Sequence, residues 1–328
     1  MATRRCVGID VAAREVVVAI EGAAKALVFD NDGEGHARLI RRMKRRAGRI
    51  RVCLEATGIY HLDLALALVR TKSIELMVVN PVAARDFGRA LLQRSKTDRV
   101  DAGVLLEYAR RMPFEPWRPP APAILDLRAI VRRIEALTVA RTQERNRLHA
   151  AGRSAELTEA IAWDIEAHLD HLAHSIERLQ AQALAIVGDD PLLAERFHRL
   201  TSVRGIATTS ALRILAELAV LPEDMTARQW VAHAGLDPRQ VESGTSLHKP
   251  ARISKTGNVH LRAALYMPAM VAMREEPHVR AFADKLLGRG KKPIQAIVAI
   301  ERKLLHAIYG MWRTHTDFDG AKFCALNA

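Results

Sequence analysis

The sequence predicts an α/β N-terminal domain, a helical connector and a mainly α C-terminal domain. Three observations carry that expectation. Up to about residue 112, short apolar runs alternate with helical segments. Five prolines then crowd into "PFEPWRPPAPA", residues 113–123. Beyond them Ile165, Leu169, Leu172, Ile176, Leu179, Ala183 and Ile186 step by four and three, an apolar seam of three heptads.

The elements follow in order. "CVGIDVA", "EVVVAI" and "KALVFD" are apolar runs separated by short polar breaks, the pattern of an antiparallel meander. "GEGHARLIRRMKRRAG" reads as a helix with a glycine stop. "RIRVCLEAT" is a buried strand, "YHLDLALALVR" a helix and "IELMVVN" a strand. Pro81 opens a further helix, and "DRVDAGVLLEYARR" is another, giving βββαβαβαα. From Leu125 to Val187 the pattern is helical. The heptad seam fits an intramolecular hairpin with residues 125–150 as well as it fits a dimerising coiled coil. After "GDDP" a second, largely helical unit begins, and the chain ends in "DFDGAKFCALNA", which reads as a tail.

Composition narrows the partners. The chain has 328 residues, 49% apolar and 27% charged, which excludes a disordered chain. Lys and Arg number 50 against 37 Asp and Glu, a net charge of +13. That excess points to a polyanion, nucleic acid before an anionic membrane. No run of about 18 apolar residues exists, so no membrane partner is expected. "MATRRCVGID" reaches an aspartate before it builds a signal-peptide core, and a cytoplasmic location is expected. Cys6, Cys53 and Cys324 are scattered, with no disulfide framework or zinc spacing.

The acids of the first domain are placed, not scattered. Asp10 ends the first strand and Glu55 the strand after the first helix. Asp98 and Asp101, in "SKTDRVDA", share one face of a helix start. Four converging carboxylates repel unless cations sit among them, and hard oxygen donors suit Mg2+, or Mn2+. Two such ions suit phosphodiester chemistry. This element order, with acids at those strand ends, resembles the ribonuclease-H-like (resolvase-like) fold of Holliday-junction resolvases.

Longer blocks extend the resemblance. "VGIDVAAREVVVAI", "CLEATGIYH" and "SKTDRVDA" are similar to the three blocks of the DEDD catalytic domain of insertion-sequence family 110 transposases. "LTSVRGIATTSALRILAEL" and "HAGLDPRQVESGTSLHKPARISKTGNVHLRAAL" resemble the two blocks of that family's C-terminal domain. The resemblance implies a DNA transposase or recombinase of a mobile element that acts on donor and target DNA. It implies guidance by a structured RNA encoded by the element. It also implies a metal set of Asp10, Glu55, Asp98 and Asp101, with a covalent serine–DNA intermediate. Ser243, in "VESGTS", is the nucleophile expected, and Ser246 three residues on keeps the choice between the two open. The divisions expected are a DEDD domain over 1–112, a linker over 113–123 and a coiled-coil connector over 124–190. The serine-bearing transposase domain follows over 191–316, and a tail over 317–328. Recombination on two duplexes implies a homo-oligomer, a dimer or a tetramer.

Basic residues mark the expected nucleic-acid contacts. Residues 38–51, "RLIRRMKRRAGRIR", hold eight Arg and Lys, among them Arg41, Arg42, Lys44, Arg45 and Arg46. Lys96 and Arg99 flank the paired aspartates. Arg204, Gly205 and Thr208 lie at a glycine turn that resembles half of a helix-hairpin-helix. Arg252, Lys255, Asn258 and Arg262 surround a second glycine turn, suited to phosphate positioning. "LLGRGKKP", 286–293, is a weaker patch of the same kind. With only 5% aromatic residues, shape and phosphate recognition outweigh base stacking. Two other functions fit the same residues. A resolvase-like nuclease would use water, and a non-catalytic RNA or DNA binder would need none of the acids.

Overall fold

The computed structural model describes residues 4–45, 48–56, 58–93, 95, 97–153, 159–243 and 247–325, excluding the side chains of 241, 243 and 247–251. It divides into two compact units, Met1–Pro119 and Pro120–Ala328.

The first unit is built on five strands: β1 (Arg5–Val11), β2 (Glu15–Ile20), β3 (Leu27–Asp30), β4 (Ile50–Glu55) and β5 (Ile74–Val79). Their order across the sheet is β3-β2-β1-β4-β5. The first three form the meander the sequence suggests, while β4 joins β1, and β5 joins β4, in parallel. The parallel strands need crossovers, supplied by α1 (Gly33–Lys44) and α2 (Leu62–Val69). Helices α3 (Pro81–Ala90) and α4 (Asp98–Arg111) follow the last strand.

Alternation along the strands divides the core into two layers. Val7, Ile9, Val52, Leu54 and Leu76 pack in one layer with Leu39 of α1 and Leu64 of α2. Cys6, Cys53 and Met77 pack in the other with Ala84 of α3 and Leu105 of α4. The proline-rich segment lies against this unit. The Trp117 N–H donates to the Leu76 carbonyl at 2.6 Å, and the Arg51 guanidinium lies 4.7 Å from the Phe114 ring centre.

The second unit begins with a long helical pair, α5 (Pro122–Ala151) and α6 (Glu159–Asp189). The heptad seam faces α5 of the same chain. Leu172 and Ile176 pack with Ile134 and Leu137, and Ala183 and Val187 share a core with Leu127 and Val131. The start of α5 therefore meets the end of α6, an antiparallel hairpin. That shared core continues into α7 (Pro191–Thr201), α8 (Thr208–Leu218), α9 (Ala227–His233), α10 (Val259–Glu275), α11 (Pro277–Leu287) and α12 (Pro293–Thr314). The last segment is packed: Phe323 of α13 (Gly320–Phe323) is buried, and the Phe318 N–H donates to the Ser202 hydroxyl. Between α9 and α10 stands an antiparallel hairpin, β6 (Pro238–Ser243) and β7 (Leu247–Ile253), which the sequence did not announce as strands.

Candidate active site

Strand parity aims two acids at α4. Cys6, Gly8 and Asp10 share one face of β1, and Cys53 and Glu55 share that face of β4. Gly8 pairs with Cys53 and Ile9 with Leu54, so Asp10 and Glu55 stand side by side at the next step. Helix α4 lies directly on this face. A Cβ added at Gly8 would lie 2.1 Å from the Ala102 carbonyl oxygen and 2.1 Å from the Leu106 nitrogen. The missing side chain lets α4 approach, and its first turn carries Asp98 and Asp101. Capping there is done by Thr97, whose hydroxyl accepts the Val100 N–H, so neither aspartate is needed as the cap.

All four carboxylates line one cavity of about 670 Å3. Burial, then the charges of Asp101, Asp98 and Glu55, push the Asp10 carboxyl up to about 6, against a weaker opposing pull from the Val11 amide. Mutual repulsion of this kind is what a cation relieves. The acidic donors are all oxygen, and among the described residues no His or Cys lines the cavity, which fits a hard divalent cation. Among the described residues, no three His, Cys, Asp or Glu are drawn together closely enough to ligate one ion, so the acids share a cavity without forming a closed donor set.

Four residues that sequence reading missed complete this end of the sheet. Arg85 and Arg89 of α3 line the same cavity, each beside Asp86 at 3.4 and 3.5 Å. Their i,i+4 spacing was the available signal. Asn31 holds the two acid-bearing loops together. Its amide donates to the Ala12 carbonyl at 2.8 Å, two residues past Asp10, and to the Tyr60 carbonyl at 3.1 Å, in the loop after Glu55. The buried His36 ring fixes the other end, with Nε2 2.8 Å from Asn31 Oδ1. Tyr60 itself lines the cavity.

The basic positions sort by location. Arg41, Arg42, Lys44 and Arg45 are exposed along and just beyond α1, opposite its buried Leu39 and Met43. Arg99 is exposed on α4. Arg46, Lys96 and Ser246 lie outside the described residues.

In the second unit, Ser243 is the last residue of β6, paired with Leu247 across the hairpin tip. The hairpin's root is pinned: Ser254 Oγ donates to Asp237 Oδ1 at 2.5 Å, and the Lys255 N–H to the Gly235 carbonyl at 3.0 Å. Arg252 and Lys255 are exposed. Asn258 is engaged at both ends: its Oδ1 caps α10 by accepting the His260 and Leu261 N–H groups, and its amide donates to buried Glu217 at 2.6 Å. Arg132 donates to the same carboxylate at 2.8 and 3.0 Å. Burial works to raise Glu217, but these hydrogen bonds outweigh it and hold its pKa below the ordinary range. Arg262 donates to the Ala234 carbonyl at 2.7 Å. Gly205 turns α7 into α8 at φ +106°, and a Cβ there would lie 2.8 Å from the Ala272 nitrogen of α10. Arg204 beside it is exposed, 3.8 Å from Glu276, and Thr208 opens α8 half-buried.

Two family models match these two regions in order. A DEDD transposase model of the IS110 type matches residues 7–152, and a model described as transposase, IS116/IS110/IS902 family, matches residues 197–284. The chain belongs to the IS110 transposase family. It is a DNA transposase or recombinase. A pilin gene-inverting protein of Moraxella bovis is 28% identical to this IS110 transposase over 299 residues, 89% of each chain. An IS110 insertion-element protein of 43.6 kDa from Streptomyces coelicolor is 29% identical over 141 residues, 43% of this chain and 34% of the relative. A probable family 20 transposase of Pseudomonas aeruginosa is 33% identical over 111 residues, 34% of this chain and 31% of the relative. Among the described residues of the transposase, no helix is long and apolar enough to cross a membrane.

Proposed function

We propose that this IS110 transposase is the site-specific recombinase of a mobile element, cutting and rejoining DNA through a covalent serine–DNA intermediate. The observation that carries the reading is the single cavity shared by four carboxylates from β1, β4 and α4, with Asp10 pushed up to about 6. In this reading the first unit has the ribonuclease-H-like fold, which its β3-β2-β1-β4-β5 order supports. Asp10, Glu55, Asp98 and Asp101 would hold Mg2+, or Mn2+ in its place, which when bound supplies charge neutralisation at the phosphate and makes a hydroxyl more acidic.

The chain's own groups do the rest. Ser243 Oγ attacks the scissile phosphorus and loses its proton. One phosphodiester bond breaks and one serine–phosphate ester forms, while the leaving deoxyribose oxygen gains a proton. Attack by a new DNA hydroxyl reverses these changes and frees the serine, so no bond energy is lost. A relative named for inverting a gene favours this rejoining chemistry over hydrolysis by water. Arg85 and Arg89 bring positive charge to the phosphate at the acid cavity. The exposed arginines of α1 suit the backbone of a structured guide RNA encoded by the element. A dimer or tetramer belongs to the same reading, and Trp163, 72% exposed on α6, offers an apolar surface for a second copy.

Strand exchange between two duplexes bearing element ends, with the flanking RNA and Mg2+, tests the reading. Wild type is expected to give joined products, and Asp10→Asn and Ser243→Ala none. Cleavage that persists in Ser243→Ala would instead show a nuclease that uses water.

A further inference from the structure

The second unit carries a trough that the recombination reading does not use. It has a volume of about 740 Å3, within the range of small-ligand sites. Its floor is apolar: Ile253 at the hairpin root, Phe282 and Leu286 of α11, and Ile294 and Val298 of α12. Its rim is cationic: Arg252, Lys255, Lys291, Arg302 and Lys303. No acidic residue lines it among the described residues. Lys291 comes from the "GRGKK" turn, a basic motif that the recombination reading leaves unused.

An apolar floor inside a ring of cations matches one chemistry well, that of a nucleobase with its flanking phosphates. A base face is apolar, and the phosphates on either side are anionic. An acidic amphipathic helix would also satisfy the charges, but the position of the trough favours DNA. It begins at Pro238 and Ile253, the pair at the root of the hairpin whose tip holds Ser243. Five residues of extended strand separate root from tip, ~17 Å at ~3.3 Å per residue. That is about five nucleotides of stacked DNA at ~3.4 Å per step.

We infer that the trough at the root of the β6–β7 hairpin holds one unstacked base of the DNA strand that Ser243 attacks, about five nucleotides from the scissile phosphate. The cationic rim grips the phosphates beside that base, and the apolar floor removes its face from water. Wedging an apolar surface against a base unstacks it from its neighbours, and the resulting kink fixes where the strand lies. The inference rests on the reading of Ser243 as the nucleophile.

The test uses the full-length protein, Mg2+, the flanking RNA and single-stranded DNA with 2-aminopurine at successive positions around the cleavage site. Fluorescence of that base rises when it is unstacked. The expected result is a rise confined to positions about five nucleotides from the cut. Ala299→Trp fills the trough, and Ile294→Asp, at a half-exposed position, puts a charge in it without disturbing the core. Each should abolish the rise while circular dichroism stays unchanged. Lys291→Ala combined with Arg302→Ala should lower the slope of log affinity against log salt by ~1.4, ~0.7 for each lost phosphate contact on a single strand.

An unchanged rise in both trough variants, or an unchanged salt slope, overturns the inference. So does the same response with RNA but not DNA, or a shift in sedimentation with DNA binding intact, which would make the trough a protein interface. Formation of the Ser243 adduct is scored in the same samples. An adduct without the trough response removes this inference alone. The trough response without an adduct keeps the base site and removes the serine reading.

Discussion

Gly8 and Ala102 bring two backbones into direct contact, so close that a Cβ on Gly8 would lie 2.1 Å from the Ala102 carbonyl oxygen. This contact seats α4 on β1 two residues before Asp10 and sets the approach of Asp98 and Asp101. Gly8→Ala has to push the helix away, and overpacking of this kind costs ~1–3 kcal/mol. The expected outcome is a lower denaturation midpoint together with weaker Mn2+ binding by calorimetry. Unchanged Mn2+ binding would mean that the four acids do not depend on this contact.

Asn31 is expected to act as a positioning residue for the acid cavity. It ties the carbonyls of Ala12 and Tyr60 together, and His36 holds it in place. Groups that orient metal ligands from behind are worth ~10–100-fold in affinity. Asn31→Leu should therefore weaken Mn2+ binding by ~10-fold or more, with the fold retained. His36→Gln, which can still donate to Asn31 Oδ1, should retain most of the affinity, whereas His36→Leu should not. Equal affinities in all three variants would leave Asn31 a purely structural role.

Asn258 tests a different assignment, phosphate contact against scaffold. Both ends of its side chain are engaged, one as the α10 cap and one on Glu217. Loss of a cap costs ~1 kcal/mol, and loss of a hydrogen bond to a charged group ~1.5–3 kcal/mol. Asn258→Ala should lower stability by that order and, at temperatures where the variant is folded, leave DNA affinity at fixed salt unchanged. A several-fold loss of affinity in the folded variant would instead establish a phosphate contact.

Glu301 makes the stability of the second unit depend on pH. It is buried on α12, burial pushes its carboxyl up to about 7, and Arg262 opposes this only in part. A carboxyl raised in the folded state favours folding while protonated. Its contribution is complete below pH 4.5, the ordinary value, and is lost as pH rises through about 7. The difference is on the order of 3 kcal/mol. Glu301→Gln should therefore gain stability relative to wild type on going from pH 5 to pH 8, measured by urea denaturation. A constant difference across that range would contradict the assignment.

Much of the first unit was legible because its strands alternate and its acids fall at strand ends. The period-two pattern of "CVGIDVA" and "CLEAT" also decides which face Asp10 and Glu55 share. The close approach at Gly8 was not legible, since a glycine in a strand signals many things until the helix above it is known. Asn31 and His36 stand five residues apart, but their task is to join loops brought together by the sheet. In the second unit, the β6–β7 hairpin was hidden by weak β-propensity and by Pro250 inside β7. The heptad seam was visible, but its partner was not, because an intramolecular hairpin and a dimer present the same period.

Covalent joining of Ser243 to DNA, dependent on the four acids, is the step proposed for this transposase. The direct measurement is a denaturing gel of protein, Mg2+, flanking RNA and end-matched DNA, followed by peptide mapping of any shifted band. The expected result is a protein–DNA adduct at Ser243 that is absent in Ser243→Ala and in Asp10→Ala. Cleaved DNA with no adduct, undiminished in Ser243→Ala, would contradict it and leave a metal-dependent nuclease.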